Sequence, residues 1–167
     1  MNESGIEDVV RSLGYLTLGT RLKRIGERLQ SQTQRILEGQ KFAIPAGQFP
    51  FLAAIDRSGP MTVGDLATAV GVSQPAATRS LSLLAEAGFV AIGLAKDDQR
   101  RKHVTLTASG KRLVERGKRT AWPLIEAAVK DLCEGSSASL LEQLGAIEDG
   151  LDAQSLDTRA LRKRKQR

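Results

Sequence analysis

The chain has 167 residues with a formal charge of +6, 41% apolar and 26% charged residues, and aromatics at only 4%. That length and balance fit one globular domain with an aliphatic, Ala-rich core and argue against a wholly disordered chain. One cysteine and one histidine exclude an internal disulfide and a Cys/His zinc site, leaving little for nucleophilic catalysis.

Six of the cations sit in residues 159–167, which hold no acid, so residues 1–158 are neutral as a block. The block is nevertheless polarised. Residues 71–120 hold 10 basic and 4 acidic side chains, whereas residues 121–158 hold 1 and 8. No run of roughly 18 apolar residues suggests a membrane span. The acidic first residues lack the features of a signal peptide, and a cytoplasmic location is expected.

From Ile6 to Leu37 apolar residues recur at three-to-four spacing, which predicts one long amphipathic helix weakened by Gly14, Gly19 and Gly26. A helix that long cannot cover its apolar stripe on a small core alone, so much of it is expected to pack on a partner chain. After Gly39 and Pro45, a second helix is predicted over about 46–57, with Phe49, Leu52, Ala53 and Ile55 inward and Pro50 in its first turn. Met61-Thr62-Val63 reads as extended. Thr62 then caps a helix with Val63, Leu66, Ala67 and Val70 on its inner face and Asp65 at the third position, closed by Gly71.

Ser73 is a good N-cap, and Pro75 is tolerated in the first turn of the next helix, which buries Ala77, Leu81 and Leu84 and stops at Gly88. Residues 89–92 and 103–106 read as two strands, with residues 93–102 as a charged hairpin tip. Thr107 caps a helix running to about Cys133, which Trp122-Pro123 should kink or split. Leu140, Leu141, Leu144, Ile147 and Leu151 mark another amphipathic helix, and a basic tail follows, expected to be without structure.

Helix, short turn, helix and a two-stranded hairpin with a charged tip is the order of a winged helix-turn-helix. Such a unit offers the first residues of its second helix to base edges in a DNA major groove and its hairpin tip to the adjacent minor groove. The fold class is therefore mainly α with a small β wing. Four linked segments carry a more specific likeness. Met61 to Ala67, Val72 to Arg79, Leu84 to Val90, and Asp98 to Gly110 together resemble the MarR (multiple antibiotic resistance regulator) family, the last through an Asp-x-Arg wing followed by Leu-Thr-x-x-Gly. Leu83 departs from the family pattern, standing where a basic residue is frequent.

The resemblance implies a homodimeric, ligand- or redox-responsive transcription regulator that binds a pseudo-palindromic operator in double-stranded DNA, and a repressor released by a small-molecule effector is expected. It implies residues 1–44 as an N-terminal dimerisation helix, 45–110 as the winged DNA-binding domain, 107–158 as C-terminal dimerisation helices and 159–167 as a basic tail. By position Ser73, Gln74, Pro75, Thr78 and Arg79 match recognition-helix contacts, Arg100 the wing-tip arginine and Asp98 the acid that orients it; Arg101 and Lys102 extend the wing's charge. The family's ligand pockets lie near Tyr15, Phe49 and Phe51, with no ligand residue assigned. No cofactor, metal or enzymatic activity is expected.

Plainer readings stand beside these. Arg79 is a solvated surface charge on any exposed helix, Ser73 is an N-cap with or without phosphate, and Asp98 with Arg100 is an ion pair worth well under about 1 kcal/mol. His103 reads as structural. Cys133, flanked by Asp131 and Glu134, reads as an unreactive thiol, because nearby negative charge disfavours thiolate. The polybasic tail alone also fits an architectural nucleic-acid-binding protein with little sequence specificity.

Overall fold

The computed structural model describes residues 6–94, 102–133 and 139–165, with the side chains of residues 161 and 163–165 left out. The chain divides into two units, residues 1–125 and 126–167.

The first unit opens with α1 (Val9–Ser12), a 3-10 turn (Gly14–Thr17) and α2 (Leu18–Gly39). The single helix expected here is broken. Gly14 takes φ +57, a left-handed conformation open to glycine at no steric cost, and the helix restarts beyond it. Asp8 staples the break from both sides. Its carboxylate caps α1 by accepting from the Arg11 N–H at 3.2 Å, and it holds the Arg24 guanidinium of α2 in two hydrogen bonds of 3.0 and 2.8 Å. The α2 helix ends through Lys41, itself left-handed at φ 57, with the Phe42 N–H returning to the Leu37 carbonyl at 2.9 Å.

A 3-10 turn (Ala46–Gln48) leads into α3 (Phe49–Ser58), and Pro50 lies in the first turn, where its missing N–H costs nothing. The inward set is Phe49, Phe51, Leu52 and Ile55; Ala53 is only half-buried. Strand β1 (Met61–Thr62), α4 (Val63–Val70) and α5 (Gln74–Glu86) follow. Then come β2 (Val90–Leu94) and β3 (Lys102–Leu106), antiparallel, with β3 central in the order β1-β3-β2. Val90 faces Leu106 and Leu94 faces Lys102, while Met61 faces Val104 across the other edge.

The predicted split of the next helix is present. α6 (Ala108–Arg119) and α7 (Ala121–Cys133) are separated by Thr120 at φ −125, ψ −70. Trp122 lies against Gly117, where a Cβ would stand 2.8 Å from the indole nitrogen.

The core is built from α3, α4, α5, the sheet, α6 and the end of α2. Leu37, Leu52, Leu66, Leu81, Leu84, Val104 and Val114 are completely buried. Edge-to-face contacts link Phe42, Phe49 and Trp122, with the Arg116 guanidinium 4.3 Å from the Phe42 ring centre and donating to the Gln40 carbonyl.

The second unit contains α8 (Leu140–Ala153), capped by Ser139, and α9 (Leu156–Lys165). The basic segment expected to lack structure is therefore helical as far as Lys165. Arg159 anchors its start by donating to the Gln154 carbonyl and to the Gly150 carbonyl, which also accepts the Gln154 N–H.

Candidate nucleic-acid interface

The α4–turn–α5 unit is set by three local devices. Thr62 accepts from the Asp65 N–H at 3.1 Å and donates to its carboxylate at 2.7 Å, a capping arrangement that fixes where α4 begins. Gly71 ends α4 at φ 72, ψ 36, with the Val72 N–H bonded to the Ala67 carbonyl at 3.0 Å. Ser73 then caps α5, its hydroxyl accepting from the Ala76 N–H at 3.4 Å. The turn between the helices is thus three residues, each with a defined backbone role.

Helix α5 divides cleanly. Ala77, Leu81 and Leu84 are fully buried, which seats it rigidly on the core. Ser73, Gln74, Pro75, Thr78 and Arg79 are all exposed, so the structure brings the five expected recognition residues together at the N-terminal end of one face. The Thr78 hydroxyl donates to the Gln74 carbonyl at 2.9 Å, leaving its oxygen as an acceptor. Two exposed residues outside the expected contact set continue these rows one turn on: Ser82 follows Thr78, and Leu83, 54% exposed, follows Arg79. The i+4 spacing was the signal available for both.

The base of the wing is pinned to the start of α6. Thr107 caps α6 by accepting from the Gly110 N–H at 3.0 Å, and the same hydroxyl donates to the Gly88 carbonyl at 2.7 Å. Lys102 is exposed and opens β3, opposite Leu94. Asp98, Arg100 and Arg101 lie outside the described residues. His103 is half-buried in β3, and its Nδ1 is buried without a hydrogen-bond partner among the described residues. Lys118 in α6 is held by Asp56 at 2.7 Å and Glu115 at 2.8 Å; the Asp56 hydrogen bond foremost raises its pKa.

Neither of two clefts in the first unit is lined by Tyr15, Phe49 or Phe51. One, of about 330 Å³, lies along α2; the other, about 470 Å³, lies between the end of α3, β3 and α6. Tyr15 is 94% exposed, and both phenylalanines are core residues. Among the described residues no group of acids, histidine and cysteine is placed to hold a metal ion, and no helix is long and apolar enough to cross a membrane.

A three-helix core, a capped helix-turn-helix and an antiparallel hairpin with a third short strand define a winged helix-turn-helix protein. Residues 44–101 match the model of the MarR family. The winged-helix segment is thus similar in sequence to that family. The fold agrees with solved structures of the same kind. A mutant MarR from E. coli complexed with operator DNA superposes with a TM-score of 0.67 at 21% identity, covering 87% of this chain and 99% of that one. BldR, a transcriptional regulator from Sulfolobus solfataricus, gives 0.63 at 19% identity over 89% and 100%. BpsR of Bordetella bronchiseptica, whose DNA binding is regulated by 6-hydroxynicotinic acid, gives 0.60 at 22% over 78% and 87%. No curated protein matches the chain in sequence.

Proposed function

We propose that this chain is a homodimeric, sequence-specific DNA-binding regulator that represses transcription until a small-molecule effector releases it. The observation that carries the reading is the division of α5: three fully buried residues hold it to the core, while five polar or small residues stand exposed at its N-terminal end. A helix so held enters a major groove without loss of its own packing. Arg79 has the reach and the planar fork to hydrogen-bond guanine O6 and N7, and Gln74 can address adenine N6 and N7. The N-terminus of α5, with Ser73 as its cap, suits phosphate. In this reading Asp98, Arg100, Arg101 and Lys102 belong to a wing that tracks the neighbouring minor groove and its phosphates.

Dimerisation falls to residues 1–44 and 107–158, flanking the winged domain at 45–110. Both outer segments leave apolar side chains in solvent, among them Leu13, Leu16 and Ile25 on one side and Leu124, Leu132 and Leu141 on the other. Exposed apolar surface on that scale marks an interaction site. An effector acts here only through different affinity for dimers whose two recognition helices are spaced for DNA and those that are not. The MarR–operator complex and effector-controlled BpsR support both halves of the reading.

The test is a mobility shift with the DNA upstream of the chain's own coding sequence, in competition with random DNA. Retention of a discrete complex against excess competitor is expected. A specificity ratio near one would instead favour the architectural reading, which the six cations of residues 159–167 support.

A further inference from the structure

Two helices, one in each unit, expose apolar stripes with charged flanks of opposite sign. In α2 the stripe is Leu18, Leu22, Ile25, Leu29 and Ile36, with Leu22 and Ile25 37% and 42% exposed. At about 100° per residue, Arg21, Arg24, Arg28 and Arg35 fall along one flank of that stripe. The last three line the open groove along α2 with Glu27, itself paired with Lys23, and with Ser31 and Gln32. Asp8 engages Arg24, but among the described residues Arg21, Arg28 and Arg35 have no carboxylate within salt-bridge distance.

In α8 the exposed stripe is Leu140, Ile147 and Leu151. Glu148 and Asp152 stand on one flank, with Asp149 and Glu142 further round. Among the described residues none of these four acids has a cationic partner either. The basic flank of α2 and the acidic flank of α8 lie on opposite sides of their stripes, viewed along each helix in chain direction. That disposition brings unlike charges together when two helices pack side by side in the same direction.

We propose that the arginine row of α2 pairs with the acidic flank of α8 in a second copy of this chain, Arg28 and Arg35 facing the partner subunit's Glu148 and Asp152. The proposal rests on the homodimer reading above and adds what sets its register and its choice of partner. Two-fold symmetry makes each contact occur twice, so modest pairs act together. Bordered by apolar stripes, the pairs are partly shielded from water when the helices meet, which strengthens them relative to fully exposed ones. Like charges on any mismatched partner would oppose its docking.

The experiment uses the full-length chain and sedimentation velocity across a concentration and salt series. The double reversals Arg28→Glu with Arg35→Glu, and Glu148→Lys with Asp152→Lys, each replace attraction by repulsion in both symmetric contacts. Each is expected to weaken self-association by about tenfold or more. Mixed in equal amounts, the two variants form heterodimers of near-parent affinity, because every contact in the mixed pair is again between unlike charges. A parent chain that is monomeric throughout overturns the homodimer reading itself. A dimeric parent whose variants dimerise equally well overturns the charge pairing alone. Failure of the mixture to recover, while one chain carrying all four reversals does recover, places the pairs within a chain and also overturns it. If circular dichroism shows a reversal variant has lost helix, the Gln substitutions at the same four positions replace it. The proposal then fails if the dimer constant keeps the parent's salt dependence.

Discussion

Gly110 passes so close to the backbone of Phe89 that a Cβ at residue 110 would lie 2.0 Å from the Phe89 carbonyl oxygen. That oxygen also accepts the Thr107 N–H at 3.1 Å, so it cannot retreat without loosening the joint between the wing and α6. Gly110→Ala should therefore destabilise the fold by at least about 3 kcal/mol, since backbone rather than a flexible side chain must yield. In a chain of this size that is a drop of roughly 6–12 °C in melting temperature. Melting must be compared at one protein concentration, because association also shifts the midpoint. An unchanged melt would mean that α6 does not start where Thr107 places it.

How far such features could be read beforehand depends on whether one residue decides them. The caps could be read because Thr62, Ser73 and Thr107 each act on the N–H three residues on. The buried face of α5 followed from the spacing of Ala77, Leu81 and Leu84. The break at Gly14 did not follow, because three glycines interrupt the same apolar period and only Gly14 goes left-handed. What singles it out is Asp8 bridging to Arg24, a contact across 16 positions that periodicity does not encode. Gly39 does end α2, as its place in the sequence suggested, but the residue that turns left-handed is Lys41, which nothing in the sequence marked. The exposure of Ser73, Gln74, Pro75, Thr78 and Arg79 on one face of α5 was legible from order and spacing, whereas the cleft between α3, β3 and α6 was not, since it is formed by tertiary contacts.

Arg79→Ala should weaken binding to a specific DNA site by about 1–3 kcal/mol and relax the base preference at one position, if its guanidinium reads a guanine edge. Lys102→Ala should act differently. Removing a wing cation that faces phosphate lowers affinity about equally for all sequences and reduces the salt slope by about one. Fluorescence anisotropy on the site and on scrambled DNA, each at several salt concentrations, separates the two. Equal losses on both DNAs for Arg79→Ala would remove it from base recognition.

Arg116 ties α6 to the end of α2 by lying over Phe42 and donating to the Gln40 carbonyl. Arg116→Ala should cost about 1–3 kcal/mol from the lost ring contact and charged hydrogen bond together. Trp122 sits in edge-to-face contact with Phe49, the ring next to Phe42, and its emission should report the loosening. A red shift in the native variant, together with the lower unfolding midpoint, is the expected result.

The Asp8 carboxyl has its pKa lowered, first by its hydrogen bonds from Arg24, against a smaller opposing effect of desolvation. Because the folded value lies below the unfolded one, the contribution is complete above the unfolded carboxylate range and is lost as pH falls through the folded value. The N-terminal α1–α2 corner should accordingly loosen in acid, below the ordinary aspartate range near pH 4. Asp8→Asn should show that looseness already at neutral pH and no further acid step there. Amide exchange across residues 9–24, followed against pH in both proteins, makes the comparison.

Ser73 has two proposed duties, and one substitution separates them. Its hydroxyl caps α5, and the same exposed position lies where a phosphate would meet the helix N-terminus. Ser73→Ala removes both and should cost about 1 kcal/mol of stability as well as DNA affinity. Ser73→Asp keeps a good cap, and its charge is favourable at a helix N-terminus in the free protein. That same charge repels phosphate. Its melting temperature should match or exceed the parent's, while its affinity for DNA falls about tenfold or more. If Ser73→Asp binds as tightly as the parent, the start of α5 does not face the DNA backbone, and the docking proposed for this helix is wrong at its first residue.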